Sequence, residues 1–314
     1  MARCRQLLAL ALLVSHGVVD ARKIVLDPSL PCPASCRANL PPVTILASRY
    51  ISTVEHAVIG TLYSTVRNSS TFATCKAHGT RTCHTMLTPY TLRNFGAAIE
   101  RVIVDRVPGD VMELGVWRGG GTMYAKALLA VYGEEERRAV HLFDVFDTMS
   151  LYSGRRWDGI FGAASANSAG AIAEGFRKMG LLDERVHFHV GLFNSTTRAY
   201  RERATSDTRI AVLRIDGNFY ASYEECMYNL YDFVPVGGIV IFDDILDHPD
   251  VKAFWRDFKA DYGLTEEVFS AIGDGPGGTA WFRKERLVTL DWRKRRGGPG
   301  GGHRTQVSKA WSKA

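Results

Sequence analysis

The chain has 314 residues, with 39 Lys and Arg against 33 Asp and Glu and a formal net charge of +6. With 46% hydrophobic and 23% charged residues it can bury a large core, which excludes a disordered, collagen-like or small disulfide-scaffold protein. The length suits one large or two ordinary domains. The positive excess is confined to one end: seven Lys or Arg and one Asp lie beyond residue 290, leaving 32 cations and 32 acids before it. No nucleic-acid partner is therefore expected. Residues 287–314 read as a basic, Gly-rich flexible tail, either a solvated appendage or a polyanion-binding arm.

At the other end, Arg3 and Arg5 precede an apolar run, 7–14, that closes on the small residues of Val19-Asp20-Ala21. Residues 1–21 match a secretory signal peptide, with an organelle transit peptide or short anchor as the alternatives. The run is too short for a stable membrane span. The expected location is the secretory pathway: Golgi or ER lumen, or secreted. Residues 22–84 form a Cys-containing N-terminal cap region. Its cysteines, Cys32, Cys36, Cys75 and Cys83, suit two disulfides of unspecified pairing. A zinc site is the alternative, though the spacing is not that of a zinc knuckle. Cys226, in an apolar helical stretch, reads as a buried free thiol. Asn68 and Asn194 lie in Asn-x-Ser/Thr triplets, acceptors for glycosylation if the chain enters the ER.

Helical stretches at 46–66 and 92–104 suit a cap. From 110 onward, strands alternate with helices. Strands are expected at 110–115, 139–146, 185–191, 209–216 and 238–243. Helices are expected at 122–132, 169–179 and 223–234, with a short polar helix before 209. At 249–262, Val251, Phe254, Trp255 and Phe258 recur at helical spacing. Two last strands, 267–272 and 279–283, are joined by a Gly-rich loop too short for a crossover helix, so they pair antiparallel. The expected fold is α/β: a mainly parallel seven-stranded sheet, an antiparallel terminal hairpin and an N-terminal helical cap. This is the layout of Rossmann-like class I methyltransferases, with 85–286 as that domain. Ligands in such sheets sit beyond the carboxyl ends of the strands.

Strand ends therefore carry the chemistry. The first runs Glu113-Leu114-Gly115-Val116-Trp117-Arg118-Gly119-Gly120-Gly121, where glycines let backbone approach a ligand at a helix N-terminus; a tight strand-to-helix turn reads the same way. Asp144 ends the second strand, where an acid can hold a ribose diol or cap a helix. Asp216 ends the fourth and Asp243-Asp244 the fifth. Adjacent strands bring these three acids together, and clustered carboxylates call for a hard divalent cation, Mg²⁺ first. Helix caps are the alternative reading. The long segment 150–170, with Arg155, Arg156 and Trp157, is either a substrate loop or a surface loop.

Several ordered blocks resemble the TylF/MycF family of macrocin-type O-methyltransferases, which act on sugars of natural products. They are His84-Thr85-Met86, Leu92-Arg93-Asn94-Phe95, Pro108-Gly109-Asp110 leading into Gly115-Val116-Trp117-Arg118-Gly119-Gly120, the run Gly180 to Val186, Leu213-Arg214-Ile215-Asp216-Gly217, and Gly237-Gly238 leading to Asp243-Asp244. The resemblance spans about 81–284. It implies S-adenosylmethionine (SAM) as methyl donor, contacted by Thr85, Met86, Glu113, Gly115 and Gly119, with Asp144 at the ribose. It implies Mg²⁺ on Asp216, Asp243 and Asp244, a sugar hydroxyl as acceptor, and admits a homo-oligomer. The family pattern Leu-Asp-Gly-Asp-x-Tyr places a presumed base where this chain has Asn218, and a neutral amide is not a useful base near pH 7. Asp244, Asp247 or His248 could replace it. The alternative is a catalytically weakened SAM- or glycan-binding protein.

Overall fold

A computed structural model describes residues 42–62, 83–146, 168–246, 248–266, 268–270 and 278–296. The segment 1–21 expected as a signal peptide, Cys32, Cys36, Cys75, Asn68, Asp247, nearly all of the 150–170 segment and the glycine run of the tail lie outside them.

The first helix, α1 (Pro42–Ile59), ends short of the expected 66, and the second, α2, spans Pro89–Val104. Thr88 caps α2 by accepting the Thr91 amide at 3.1 Å, and Pro89 fits the first turn, where its missing N–H costs nothing. Arg93 clamps α2 to α1 through a bidentate pair with Glu55, at 2.7–3.1 Å. The remaining elements alternate: β1 (Asp110–Leu114), α3 (Gly120–Val131), β2 (Val140–Asp144), α4 (Ala169–Lys178), β3 (Val186–Val190), α5 (Phe193–Arg203), β4 (Ile210–Ile215), α6 (Tyr220–Leu230), β5 (Ile239–Phe242), α7 (Pro249–Tyr262), β6 (Phe269–Ser270) and β7 (Ala280–Arg283).

The seven strands form one sheet in the order β3-β2-β1-β4-β5-β7-β6. β1 to β5 run parallel, and β7 pairs antiparallel with both β5 and β6. The class I methyltransferase expectation therefore holds. One apolar cluster packs α1 to α4 on one face, through Val54, Phe95, Met123 and Phe176. A second packs α6 and α7 on the other, through Tyr223, Met227, Phe254 and Phe258. The α7 residues expected on its apolar face, Val251, Phe254, Trp255 and Phe258, are all buried.

Two boundary shifts bear on the site. α3 begins at Gly120, not Thr122, so the glycines form its first turn. α6 begins at Tyr220, directly after the Asn218 turn, and gives way to a 3-10 turn at Tyr231–Phe233. Each strand order puts the carboxyl ends of β1, β2, β4 and β5 at one rim, with the β1–β4 boundary as the switch in direction.

The tail departs from expectation near its start. Residues Trp292–Lys294 form a 3-10 turn, and the basic run is seated on acids of α6 and α7. Arg295 pairs with Glu224 and Glu225, and Arg296 with Asp257 and Asp261. The flexible-tail reading from 287 is thus corrected: charge on the body captures this part of it. Cys226 is a buried free thiol, as its apolar surroundings imply. Cys83 is disulfide-bonded.

Candidate active site

The rim beyond β1, β4 and β5 gathers most of the residues singled out above. Asp216 follows β4, and Asp243 and Asp244 follow β5. One carboxylate oxygen from each lies within 4.8 Å of the other two. Backbone register fixes this: β4 and β5 pair Ile215 with Phe242, so the next residues emerge side by side. The Asp243 amide donates to the Ile215 carbonyl at 2.9 Å, and the Asp216 amide to the Leu114 carbonyl at 2.8 Å. Asp244 turns at a left-handed φ of 56°, as does Asn218 at 58°. Asp and Asn tolerate that region better than most residues.

Beneath the acids lies Arg214, fully buried in an otherwise apolar strand. Its Nη1 is 3.0 Å from Glu113 Oε1 and 3.3 Å from Asp216 Oδ2. Its Nη2 is 3.2 Å from Asp216 Oδ2 and 3.1 Å from Asp243 Oδ1. The guanidinium stays protonated because Asp243, Asp216 and Glu113 outweigh the cost of burying it. The Asp216 carboxyl is pushed up first by burial, then by the Asp243 charge, against the pull of Arg214. Three carboxylates, Glu113, Asp216 and Asp243, thus share one guanidinium, and Asp244 adds a further negative charge at the rim. The remaining negative charge and the all-oxygen donor set fit a hard divalent cation.

Thr279, just before β7, donates its hydroxyl to Asp243 Oδ1. The Tyr223 hydroxyl reaches the Asp243 carbonyl at 2.6 Å. Neither was singled out from sequence, and neither were the contacts of Arg214. A charged side chain inside the apolar run Ile-Ala-Val-Leu-Arg-Ile was the available signal for Arg214. Thr279 and Tyr223 carried none, because their roles depend on strand and helix packing.

Glu113 is not at the open rim. It is buried, and its oxygens accept Arg214 on one side and the Thr122 hydroxyl on the other. The Thr122 amide also donates to it. The carboxylate therefore caps α3 from below, where the helix dipole favours a negative charge. A β-carbon on Gly121 would stand 2.4 Å from Glu113 Oε1, so only glycine leaves room for it. In this structure the side chain braces the turn from within.

The other glycine-turn residues converge. Gly115 follows β1 at φ +88° against the Asp216 carbonyl, and Gly119 is the N-cap of α3. Asp144 Oδ2 accepts the amides of Val116 at 2.8 Å and Trp117 at 3.2 Å, and Oδ1 accepts Phe146 at 3.3 Å. Asp144 thus braces the turn. Thr85 and Met86 arrive from the cap: the Gly120 amide donates to the His84 carbonyl at 2.8 Å, and a β-carbon on Gly120 would meet Thr85 Cβ at 2.8 Å. Arg118 Nη1 reaches the Cys83 carbonyl at 3.2 Å. Asn218 is half-buried and makes no side-chain hydrogen bond among the described residues. Nδ1 of His248 is buried without a hydrogen-bond partner there.

The family model for macrocin O-methyltransferase (TylF) matches residues 42–284. The chain belongs to the TylF macrocin O-methyltransferase family. It is 35% identical over 199 residues to demethyldecarbamoylnovobiocin O-methyltransferase of Streptomyces niveus, covering 61% of this chain and 74% of that one. A tetracenomycin rhamnosyl 4'-O-methyltransferase of Streptomyces olivaceus is 32% identical over 203 residues, with the same coverage. The structure of the O-methyltransferase NovP superposes with a TM-score of 0.63 at 27% identity, covering 76% of this chain and all of that one. This TylF-family chain is a SAM-dependent O-methyltransferase.

Proposed function

We propose that this enzyme methylates a hydroxyl of a sugar, on a glycan or a glycosylated small molecule, with Mg²⁺ held by Asp216, Asp243 and Asp244. The convergence of these three carboxylates beside the glycine turn carries the reading. The relatives support the acceptor class, since one is named for O-methylation of a rhamnosyl-tetracenomycin and another for O-methylation of demethyldecarbamoylnovobiocin. SAM would supply an electrophilic sulfonium methyl, and the metal Lewis acidity toward a hydroxyl.

The chain's own residues do the rest. Gly115 and Gly119 would admit the cofactor to the backbone, and Thr85 and Met86 of the cap would help hold it. Asp144 holds the turn and is the residue proposed for the ribose hydroxyls. Positioning supplies much of the rate, because the acceptor oxygen must lie in line with the methyl. Asn218 stands at the turn after Asp216, where its amide can orient the acceptor by hydrogen bonding but takes no proton. Asp244, within the carboxylate trio, and His248, whose Nδ1 has no hydrogen-bond partner among the described residues, are the candidates to accept one. We place the reaction in the secretory pathway, on the signal-like residues 1–21 and the disulfide at Cys83.

The test is release of S-adenosylhomocysteine from SAM across a panel of glycosides, with Mg²⁺ and with EDTA. Turnover that requires Mg²⁺ and is lost in Asp243→Asn is expected; metal-independent turnover overturns the metal assignment. A second reading, a weakened enzyme that mainly binds SAM or glycan, rests on Asn218. It expects SAM binding with negligible turnover on every acceptor.

A further inference from the structure

The buried pair Arg214–Glu113 spans the distance between the carboxylate trio and the first turn of α3. Nη1 and Nη2 of Arg214 make four contacts of 3.0–3.3 Å with Glu113, Asp216 and Asp243. Glu113 passes the connection on through the hydroxyl and amide of Thr122. Both side chains are almost wholly shielded from water, at 1% and 3% exposure. Low local dielectric strengthens such contacts, and shielding keeps salt from damping them.

We infer that Arg214 and Glu113 are positioning residues that couple the two halves of the site, so that a divalent cation on the aspartates tightens cofactor binding at the glycine turn. This rests on the metal and cofactor reading above. Without a cation, one guanidinium is divided among three carboxylates. A cation on Asp216 and Asp243 takes up their charge and leaves the guanidinium to Glu113. Glu113 then holds Thr122 and the first turn of α3 more firmly, and that turn carries Gly120 and Gly121 beside Thr85. Less ordering remains when the cofactor binds, which is positive coupling. The reverse effect is required by linkage: cofactor tightens the metal by the same factor. The sign is diagnostic. Direct repulsion between a divalent cation and the sulfonium would weaken SAM binding instead.

The experiment is calorimetric titration of SAM into the full chain, in EDTA and in saturating Mg²⁺, on wild type, Glu113→Gln, Thr122→Val and Thr122→Ser. Circular dichroism confirms that each variant is folded. The readout is the ratio of the two dissociation constants, which a general loss of affinity leaves unchanged. Wild type and Thr122→Ser are expected to bind SAM at least about fivefold more tightly with Mg²⁺, the lower end of ordinary couplings. Glu113→Gln and Thr122→Val are expected to fall below twofold while still binding both ligands. A wild-type ratio near or below one, or an undiminished ratio in both of these variants, overturns the coupling. Failure of the wild type to bind SAM or metal at all removes the underlying reading with it, and shows before any variant is measured.

Discussion

A β-carbon on Gly115 would come within 2.0 Å of the Asp216 carbonyl oxygen. The glycine turn and the metal-side aspartate are thus in backbone contact, and the two halves of the site share a wall. Gly115→Ala meets both this clash and a φ of +88°. The expected cost is about 2–4 kcal/mol of stability, from overpacking and left-handed strain together. Denaturant unfolding measures it, and SAM affinity should fall at least tenfold in the folded fraction. A neutral outcome in both would mean that the two backbones can separate.

Asn218→Asp puts a carboxylate at the turn after Asp216. General-base catalysis is worth about 10²–10⁴-fold, so kcat is expected to rise at least tenfold, with a new acidic limb in the pH–rate profile. If kcat instead falls, a base elsewhere already serves, and His248→Ala becomes the decisive variant.

A cluster away from the site makes the fold acid-sensitive. On β2 and β3, His141 Nδ1 lies 3.0 Å from His189 Nε2, and the ring of His187 stacks on His141 at 4.8 Å. Asp110 on β1 meets His141 Nε2 at 3.2 Å, and Tyr200 of α5 packs edge-on. Burial, then the charges of His141, His187 and Arg203, push the His189 imidazole down to about 3. Its folded value lies below the unfolded one, so the unfolded chain binds the proton first. The contribution is full above about pH 6.5 and is lost as pH falls toward 3. Between pH 7 and 5 the loss should be of the order of 1–2 kcal/mol, allowing for partial exposure. His189→Gln should flatten that part of the stability–pH curve; an unchanged slope assigns the acid sensitivity to another group.

The two parts of the tail should behave differently. Deleting residues 297–314 is expected to leave the melting temperature unchanged. Deleting 291–314 removes the contacts of Arg295 and Arg296 with α6 and α7, for roughly 1–2 kcal/mol given how exposed such pairs are. Thermal unfolding at low and high salt checks this, because screening should narrow the difference between the two truncations. Equal melting temperatures for both at low salt would show that the docked run adds nothing.

The sheet was legible because its signals are local. Apolar strands of four to six residues, Gly-rich turns and the helical stripe of α7 each act over a few residues, and Asp216, Asp243 and Asp244 could be placed at strand ends before their geometry was known. Thr85 and Met86 were reached only through resemblance, since nothing in their neighbourhood marks them. The inward direction of Glu113 was not legible, for a simple reason. A carboxylate beside a glycine turn looks the same in sequence whether it points outward or inward.

By itself, then, the sequence determined the α/β order, the acids at the strand ends, the site of the charge excess and the amide at 218. Tertiary structure alone decided what each charge faces. Arg214 and Glu113 are 101 residues apart, and β1–β4 pairing brings them together. The basic run at 293–296 meets its acids only once α6 and α7 lie side by side. Backbone conformation follows from neighbours along the chain, whereas charge pairing depends on which strands and helices become neighbours in space.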